Sequence, residues 1–420
     1  MSQAQSWDAR SFIDLTEYRE VEEVLRRGRD FVVAGTKAES DEFVHGSLIA
    51  IDGREHLNRR RAVMKMIRAS QPWGAEGKLI DAVYAHNLKR VQETAEPRDG
   101  MIHFDLIDFC KRVIWRVTAA FVGLDDVDDD ETVARFQRLG SDVVSGLTVE
   151  YATPEARRRI LDTAREARRQ IREEMFAPSL ARRRALILEA GDDPGKRDAL
   201  PADLLTSLLL VPEDARLDEE LIFREMVALL SASVNNPVWQ VAWAIDDLLT
   251  WLADHPGDRA RVGDREFINL AVKESLRLHR ASRPYLVRMA VEDTVLESSG
   301  RFIPAGAWVS GWVEKANHDP SVFGDDAGVY NLNRTVEDPR VPHFGMAFGA
   351  GPHVCLGRPM LLWEQGSEEA QGIQTKMVRL LLERGVTKDP EGVQKLAGVE
   401  GSSRYIRYDV TMPVAGSGEN

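Results

Sequence analysis

Apolar residues recur at helical spacing through most of this chain. The period is clear in Asp14–Arg27 and in His103–Leu124, and again in Thr132–Leu147 and Pro154–Phe176. A much longer run, Asp218–Pro256, closes on Asp254-His255-Pro256, and a further helix is predicted over Glu266–Arg280. Strand-like alternation is short and late, in Arg301–Val313 and Ser402–Val414. Between these, Ala316–Arg334 is rich in turn formers and predicts a long irregular segment. Leu188–Leu204 reads as an exposed loop and not a domain linker, because periodic apolar segments continue on both sides. There are no internal repeats. The pattern predicts one mainly α domain with a small β portion, spanning residues 1–420.

The long run contains a conflict. Its centre reads Ser-Ala-Ser-Val-Asn-Asn-Pro, residues 231–237, and Ser, Asn and Pro are poor helix-interior residues. Pro237 has no N–H to give the Ser233 carbonyl, so a kink is predicted there. It is either a bend for packing or an opening beside a ligand.

Composition narrows the class. With 420 residues and 43% hydrophobic content, the chain can bury a large core. Its polar, acidic start carries no apolar signal core, and no stretch of about 18 uncharged apolar residues occurs, so a cytoplasmic protein without a membrane span is expected. A net charge of −13 argues against general nucleic-acid binding. The two cysteines, Cys110 and Cys355, make no disulfide framework and point to a reduced compartment.

The two cysteines differ in setting. Cys110 lies on the apolar face of a helical pattern, as a small buried hydrophobe would. Cys355 sits in Phe-Gly-Ala-Gly-Pro-His-Val-Cys-Leu-Gly, residues 348–357, the most glycine-rich short loop of the chain. Such a loop lets successive N–H groups converge on one spot, where they stabilise a thiolate. No neighbouring cysteine or histidine cluster completes a tetrahedral zinc site. A lone thiolate suits a metal whose other ligands come from elsewhere, and haem iron is one.

These ten residues resemble the haem-binding loop of the cytochrome P-450 superfamily, with five fixed positions matched. The resemblance implies haem b with Cys355 as the iron ligand. It places Phe348 against the sulfur side, His353 on a haem propionate, and Gly349, Gly351 and Gly357 in the shaping of the loop. Three further motifs follow in the family's order. Glu274 and Arg277, at i, i+3, are similar to the family's Glu-x-x-Arg pair, and Arg334 is its expected third partner. His56 and Arg60, four apart on one helix face, match propionate ligands. Arg288 matches a propionate ligand from the other side. The likeness runs from about Asp14 to the end.

The chain also departs from the family. Less precedes the first helix than is usual, so a smaller first sheet is expected. Where the family has a small Ala-Gly pair, an acid and a threonine, this chain has Ala232, Ser233, Asn235 and Asn236. Asparagine cannot titrate, though it can hold a water. Proton delivery to dioxygen must then use ordered water and substrate groups, or the enzyme uses peroxide or performs oxidative coupling instead. The proline also has a faint likeness to haem-thiolate enzymes that remove aryl O-methyl groups.

The resemblance therefore implies a monomeric haem-thiolate monooxygenase. It would hydroxylate or oxidatively dealkylate a small, largely apolar organic substrate, taking electrons from a separate ferredoxin and its reductase. A non-enzymatic haem sensor or electron carrier is the reading from another class. By the same analogy Phe43, Val44, His45, Leu48, Leu147, Val149 and Tyr151 line or cover the pocket. The run Arg54, Arg59, Arg60, Arg61, Lys65 and Arg68, opposed by Glu55 alone, is expected to steer an acidic ferredoxin.

Overall fold

The computed structural model describes residues 11–33, 39–69, 78–211, 216–279, 285–363, 372–396 and 404–414. Helices dominate. Those that position the site are α1 (Gly53–Ala69), α2 (Leu106–Val122), α3 (Asp130–Leu147), α4 (Pro154–Ile171), α5 (Glu219–Val234), α6 (Asn236–Asp254), α7 (Arg265–Leu278) and α8 (Ile373–Glu383). Aspartate begins four of them. Asp105, Asp129, Asp218 and Asp264 each accept a hydrogen bond from an N–H in the first turn, worth about 1 kcal/mol apiece.

Among the described residues two four-stranded sheets and one two-stranded sheet accompany the helices. In the first, β1 (Phe12–Leu15), β2 (Phe31–Val32), β4 (Leu286–Ala290) and β5 (Trp308–Gly311) are ordered β1-β5-β4-β2. β1 runs parallel to β5, and the other pairings are antiparallel. In the second, β3 (Met101–Asp105), β6 (Thr387–Lys388) and β7 (Tyr405–Pro413) are ordered β3-β7-β6. The two late strand-like stretches are thus strands, but the strand Phe12–Leu15 was hidden. Its four residues merge into the helical period of the helix Tyr18–Arg26 that follows. Likewise His103–Asp105 belongs to β3, and the helix expected over His103–Leu124 begins at Leu106.

The main core gathers around α2, α5 and α6. Small residues let helices close on each other. A Cβ on Gly140 of α3 would stand 2.3 Å from the Trp115 ring of α2, and one on Gly146 would stand 2.5 Å from Ala164 of α4. Both contacts are possible only with glycine. Between α4 and the next helix, Ala177–Ala190, the chain widens into one π-helical turn, Arg172–Phe176. It brings Phe176 against Phe223 of α5 at a centroid distance of 4.8 Å.

The expected kink takes the form of a break. α5 ends at Val234, α6 begins at Asn236, and Asn235 joins them with φ −92° and ψ −43°. Pro237 gives the Ser233 carbonyl no N–H, and two side chains turn back on the backbone beside the break. The Ser233 hydroxyl donates to the Leu229 carbonyl at 2.8 Å, and the Asn236 amide donates to that of Ala232 at 3.4 Å. The ladder resumes with Trp239 N–H on the Asn235 carbonyl at 3.3 Å.

Candidate functional site

The cysteine loop is built on two left-handed glycines. Gly349 has φ +69° and Gly351 φ +67°, where a side chain is strained. Gly351 also abuts the helix Tyr18–Arg26, for a Cβ there would stand 2.2 Å from the Leu25 carbonyl oxygen. Gly357 serves differently. Its φ is −75°, and its N–H and that of Arg358 donate to the Cys355 sulfur. The Cys355 N–H in turn binds the Phe348 carbonyl at 2.8 Å. Phe348 is buried and stands edge-on to Phe344.

Burial raises the Cys355 thiol pKa, opposed by those two N–H groups and by the Arg60 and Arg358 charges. Yet the residue presents accessible surface. The thiol is thus desolvated in a residue that still keeps free surface. Cys110 contrasts with it: it is wholly buried, and desolvation, with the Asp105 charge adding to it, carries its pKa far up.

Four basic side chains gather beside the loop. His56 and His353 lie ring to ring, centroids 4.0 Å apart. Burial, then the His353 and Arg60 charges, takes His56 down to about 4. Arg60 donates to the Val354 carbonyl at 2.5 Å. Arg288, on β4, is buried, and its guanidinium donates to the Val287 carbonyl at 2.8 Å. Burial brings its pKa down to about 10, with Asp52 opposing. Among the described residues the acid placed in this group is Asp52, which accepts from Val33 N–H at 2.9 Å and meets His353 Nε2 at 3.0 Å. Desolvated cations outnumbering their acid form a receptor for carboxylates. Together with the sulfur donor, these residues fit a haem with its two propionates.

Sequence reasoning brought Cys355, His353, His56, Arg60 and Arg288 forward and missed Asp52. The signal was available, since Asp52 stands four residues before His56 at the start of α1.

Below the loop, Glu274, Arg277 and Arg334 come together in a buried network. Glu274 accepts from Arg277 at 2.8 and 2.9 Å and from Arg334 at 3.0 Å. Burial pushes the Glu274 carboxyl up, but the bonds and charges of Arg277 and Arg334 outweigh it and hold it below its ordinary value. Arg277 also donates to the Asn317 carbonyl at 2.7 Å, and the Asn317 side chain accepts from Met346 N–H at 2.8 Å. The network so reaches the residues that lead into the cysteine loop. Asn317 and Asp326, a second partner of Arg334 at 2.6 Å, come from the turn-rich segment.

On the distal helix, Ala232 is exposed although Val227, Ala228, Leu230 and Val234 around it are fully buried. That point of α5 is left uncovered by its neighbours. Ser233 spends its hydroxyl on the backbone, and Asn235 and Asn236 are half-buried at the break.

The residues expected at the pocket are mostly packed. Phe43, Val44, Leu48, Leu147 and Val149 are buried, and the Phe43 ring fills the α3–α4 crossing at Gly146. Each is at most 4% exposed in this structure. His45 is exposed and bonds Asp41 at 3.0 Å. The Tyr151 side chain lies outside the described residues.

The basic run on α1 is divided by the helix. Arg59 is buried and Arg60 half-buried, so neither contributes to a surface patch. Arg54, Arg61 and Lys65 are exposed, beside the exposed apolar Leu57. The Arg68 side chain lies outside the described residues. The charge run counted two inward residues as surface because it ignored helix azimuth.

The comparisons agree with this geometry. A family profile described as Cytochrome P-450 matches residues 258–364, which include Glu274, Arg277, Arg334 and the whole cysteine loop. The mycinamicin IV hydroxylase/epoxidase of Micromonospora griseorubida is 28% identical over 357 residues, covering 82% of this chain and 77% of that protein. The epothilone C/D epoxidase of Sorangium cellulosum is 25% identical over 365 residues, covering 84% and 77%. The fold matches that of CYP109E1 from Bacillus megaterium, solved in complex with testosterone. The TM-score is 0.68 at 21% identity, over 95% of this chain and 92% of that one. The chain belongs to the cytochrome P-450 superfamily, and it is a haem-thiolate monooxygenase whose cofactor is haem b.

Proposed function

We propose that this monooxygenase inserts oxygen into a C–H or C=C bond of a small, largely apolar organic substrate, with electrons from a separate ferredoxin. The observation that carries the reading is the Cys355 sulfur, desolvated and held by two N–H donors in a residue that keeps free surface. Bound haem supplies the reductive activation of dioxygen, for which a thiolate ligand is the suited donor. The relatives named hydroxylase and epoxidase support oxygen insertion as the reaction class.

The chain's own residues take the following parts. Cys355 holds the iron. The Gly357 and Arg358 N–H groups temper the charge on its sulfur. His56, Arg60, Arg288 and His353 bind the propionates, and Asp52 orients His353. Glu274, Arg277 and Arg334 brace the segment leading into the loop. Asn235 and Asn236, at the helix break, do not titrate themselves and would hold water beside the exposed Ala232 as the proton relay. Arg61 and Lys65, with Arg54, form the exposed cationic face offered to an acidic ferredoxin. Among the described residues no helix is long and apolar enough to cross a membrane.

The break at Asn235 also favours a second reading, a peroxide-using or oxidative-coupling enzyme, because neither amide delivers protons by ionising. The deciding experiment screens organic compounds for displacement of the iron-bound water, read as a shift of the haem spectrum. It then compares ferredoxin-driven with peroxide-driven turnover of each compound that binds. Ferredoxin-driven turnover supports the first reading. Negligible ferredoxin-driven turnover with rapid peroxide-driven turnover supports the second.

A further inference from the structure

Arg59 occupies a core position. His56 and Val63 of α1 face inward, each 1% exposed, and Arg59 lies between them at 9%. A guanidinium placed there is desolvated and needs full compensation. It donates to Glu225 Oε1 at 2.8 Å, to the Gly46 carbonyl and to Glu55. Glu225, on α5, is 1% exposed. Its two oxygens also receive the Leu48 N–H, at 3.0 and 3.1 Å. One buried carboxylate therefore joins residues 46–48, α1 and the distal helix. Gly46 turns its carbonyl toward Arg59 with φ +72°, a conformation that favours glycine.

Two observations tie this pair to the haem site. Glu225 precedes Ala232 by seven residues, which on an α-helix is the same face to within about 20°, at a distance of about 10.5 Å along the axis. The charge of Arg59 is also felt at His56, whose ring packs on His353 of the cysteine loop. The neighbouring Arg60 reaches the loop directly, at the Val354 carbonyl.

We propose that Glu225 is a positioning residue of the haem site: it fixes residues 46–48 and α1 against the distal helix, and it neutralises Arg59. The cationic charge offered to the haem carboxylates is then that of Arg60 and Arg288, without a third guanidinium. Burial raises the Glu225 carboxyl pKa, against the opposing effect of Arg59 and the Leu48 N–H. The inference rests on the haem reading above, which the carbon-monoxide spectrum checks independently in every variant.

Two variants separate positioning from mere core filling. Glu225→Gln keeps an acceptor for the Leu48 N–H but leaves Arg59 with the solvent-exposed Glu55 as its remaining carboxylate partner. Its haem reduction potential should rise above the parent's, because the added positive charge favours the reduced iron, while Leu48 amide exchange stays protected. The double variant Arg59→Met with Glu225→Leu removes both charges and fills the space with apolar atoms, an exchange that buried ion pairs often tolerate. Its potential should equal the parent's, and its Leu48 amide should exchange at least tenfold faster. If Glu225→Gln does not accumulate as folded protein, the double variant still decides through the Leu48 amide. An unchanged potential in Glu225→Gln with an intact thiolate spectrum overturns the proposal, and so does parent-like Leu48 protection in the double variant.

Discussion

Replacing Glu274 by glutamine should lower stability without touching any atom of the haem pocket. The carboxylate receives two bonds from Arg277 and one each from Arg334 and the Asn331 N–H. After substitution Arg334 keeps Asp326, at 2.6 Å. Arg277 keeps the glutamine amide oxygen and the carbonyls of Asn317, Ala327 and Val329 as acceptors but becomes a buried cation without a counter-charge. Removing one partner of such a pair costs about 3–5 kcal/mol. An unfolding entropy of about 2.1 cal/mol/K per residue gives about 0.9 kcal/mol/K for a chain of 420 residues. The midpoint should therefore fall by roughly 3–6 °C. Circular-dichroism melting of the haem-loaded protein measures it. The pH dependence has a definite sign. The folded Glu274 pKa is held below its ordinary value. Its contribution is thus fully present above the unfolded carboxyl pKa, about 4.3, and is lost as pH falls through the folded value. The gap between parent and variant should persist at neutral pH and close in acid. A variant melting within about 1 °C of the parent at pH 7 would refute the magnitude argued here for a buried carboxylate–guanidinium pair.

Two further outcomes concern electrons and protons. Reversing Arg61 and Lys65 to glutamate should weaken ferredoxin-driven reduction and flatten its salt dependence, because screening acts on the charges removed; equal loss of peroxide-driven turnover would point to haem loss instead. Asn236→Ala should leave the carbon-monoxide spectrum intact and raise the fraction of electrons lost as hydrogen peroxide, while Asn236→Thr should be tolerated or improve coupling. Tight coupling in Asn236→Ala would remove the proton-delivery role from that amide.

How much of the site was legible in sequence depended on how local its geometry is. The cysteine loop was readable because its glycines act within ten residues: two take left-handed φ, and one leaves its N–H for the sulfur. The break at Asn235 was readable because a proline removes a donor at a fixed distance. Arg334 lies 60 residues from Glu274, so no local rule pairs them, and only the family resemblance did. Arg59 was misread because a run of like charges looks like a surface, whereas three-dimensional azimuth sends it into the core toward Glu225, 166 positions away. Asp52 had a local signal, four residues before His56, but its partner His353 comes from the other end of the chain. Phe43 was drawn toward the ligand by analogy, but the glycine at 146 gives its ring a place between two helices.

The central claim is that Cys355 is the thiolate that holds the haem iron. The direct measurement is the reduced, carbon-monoxide-bound absorption spectrum of the parent and of two cysteine variants. The parent should show the red-shifted Soret band of a thiolate ligand. Cys355→His should lose that band, and Cys110→Ala, which alters only a wholly buried thiol of α2, should keep it. Retention of the band in Cys355→His, or its loss in Cys110→Ala with haem still bound, would contradict the assignment.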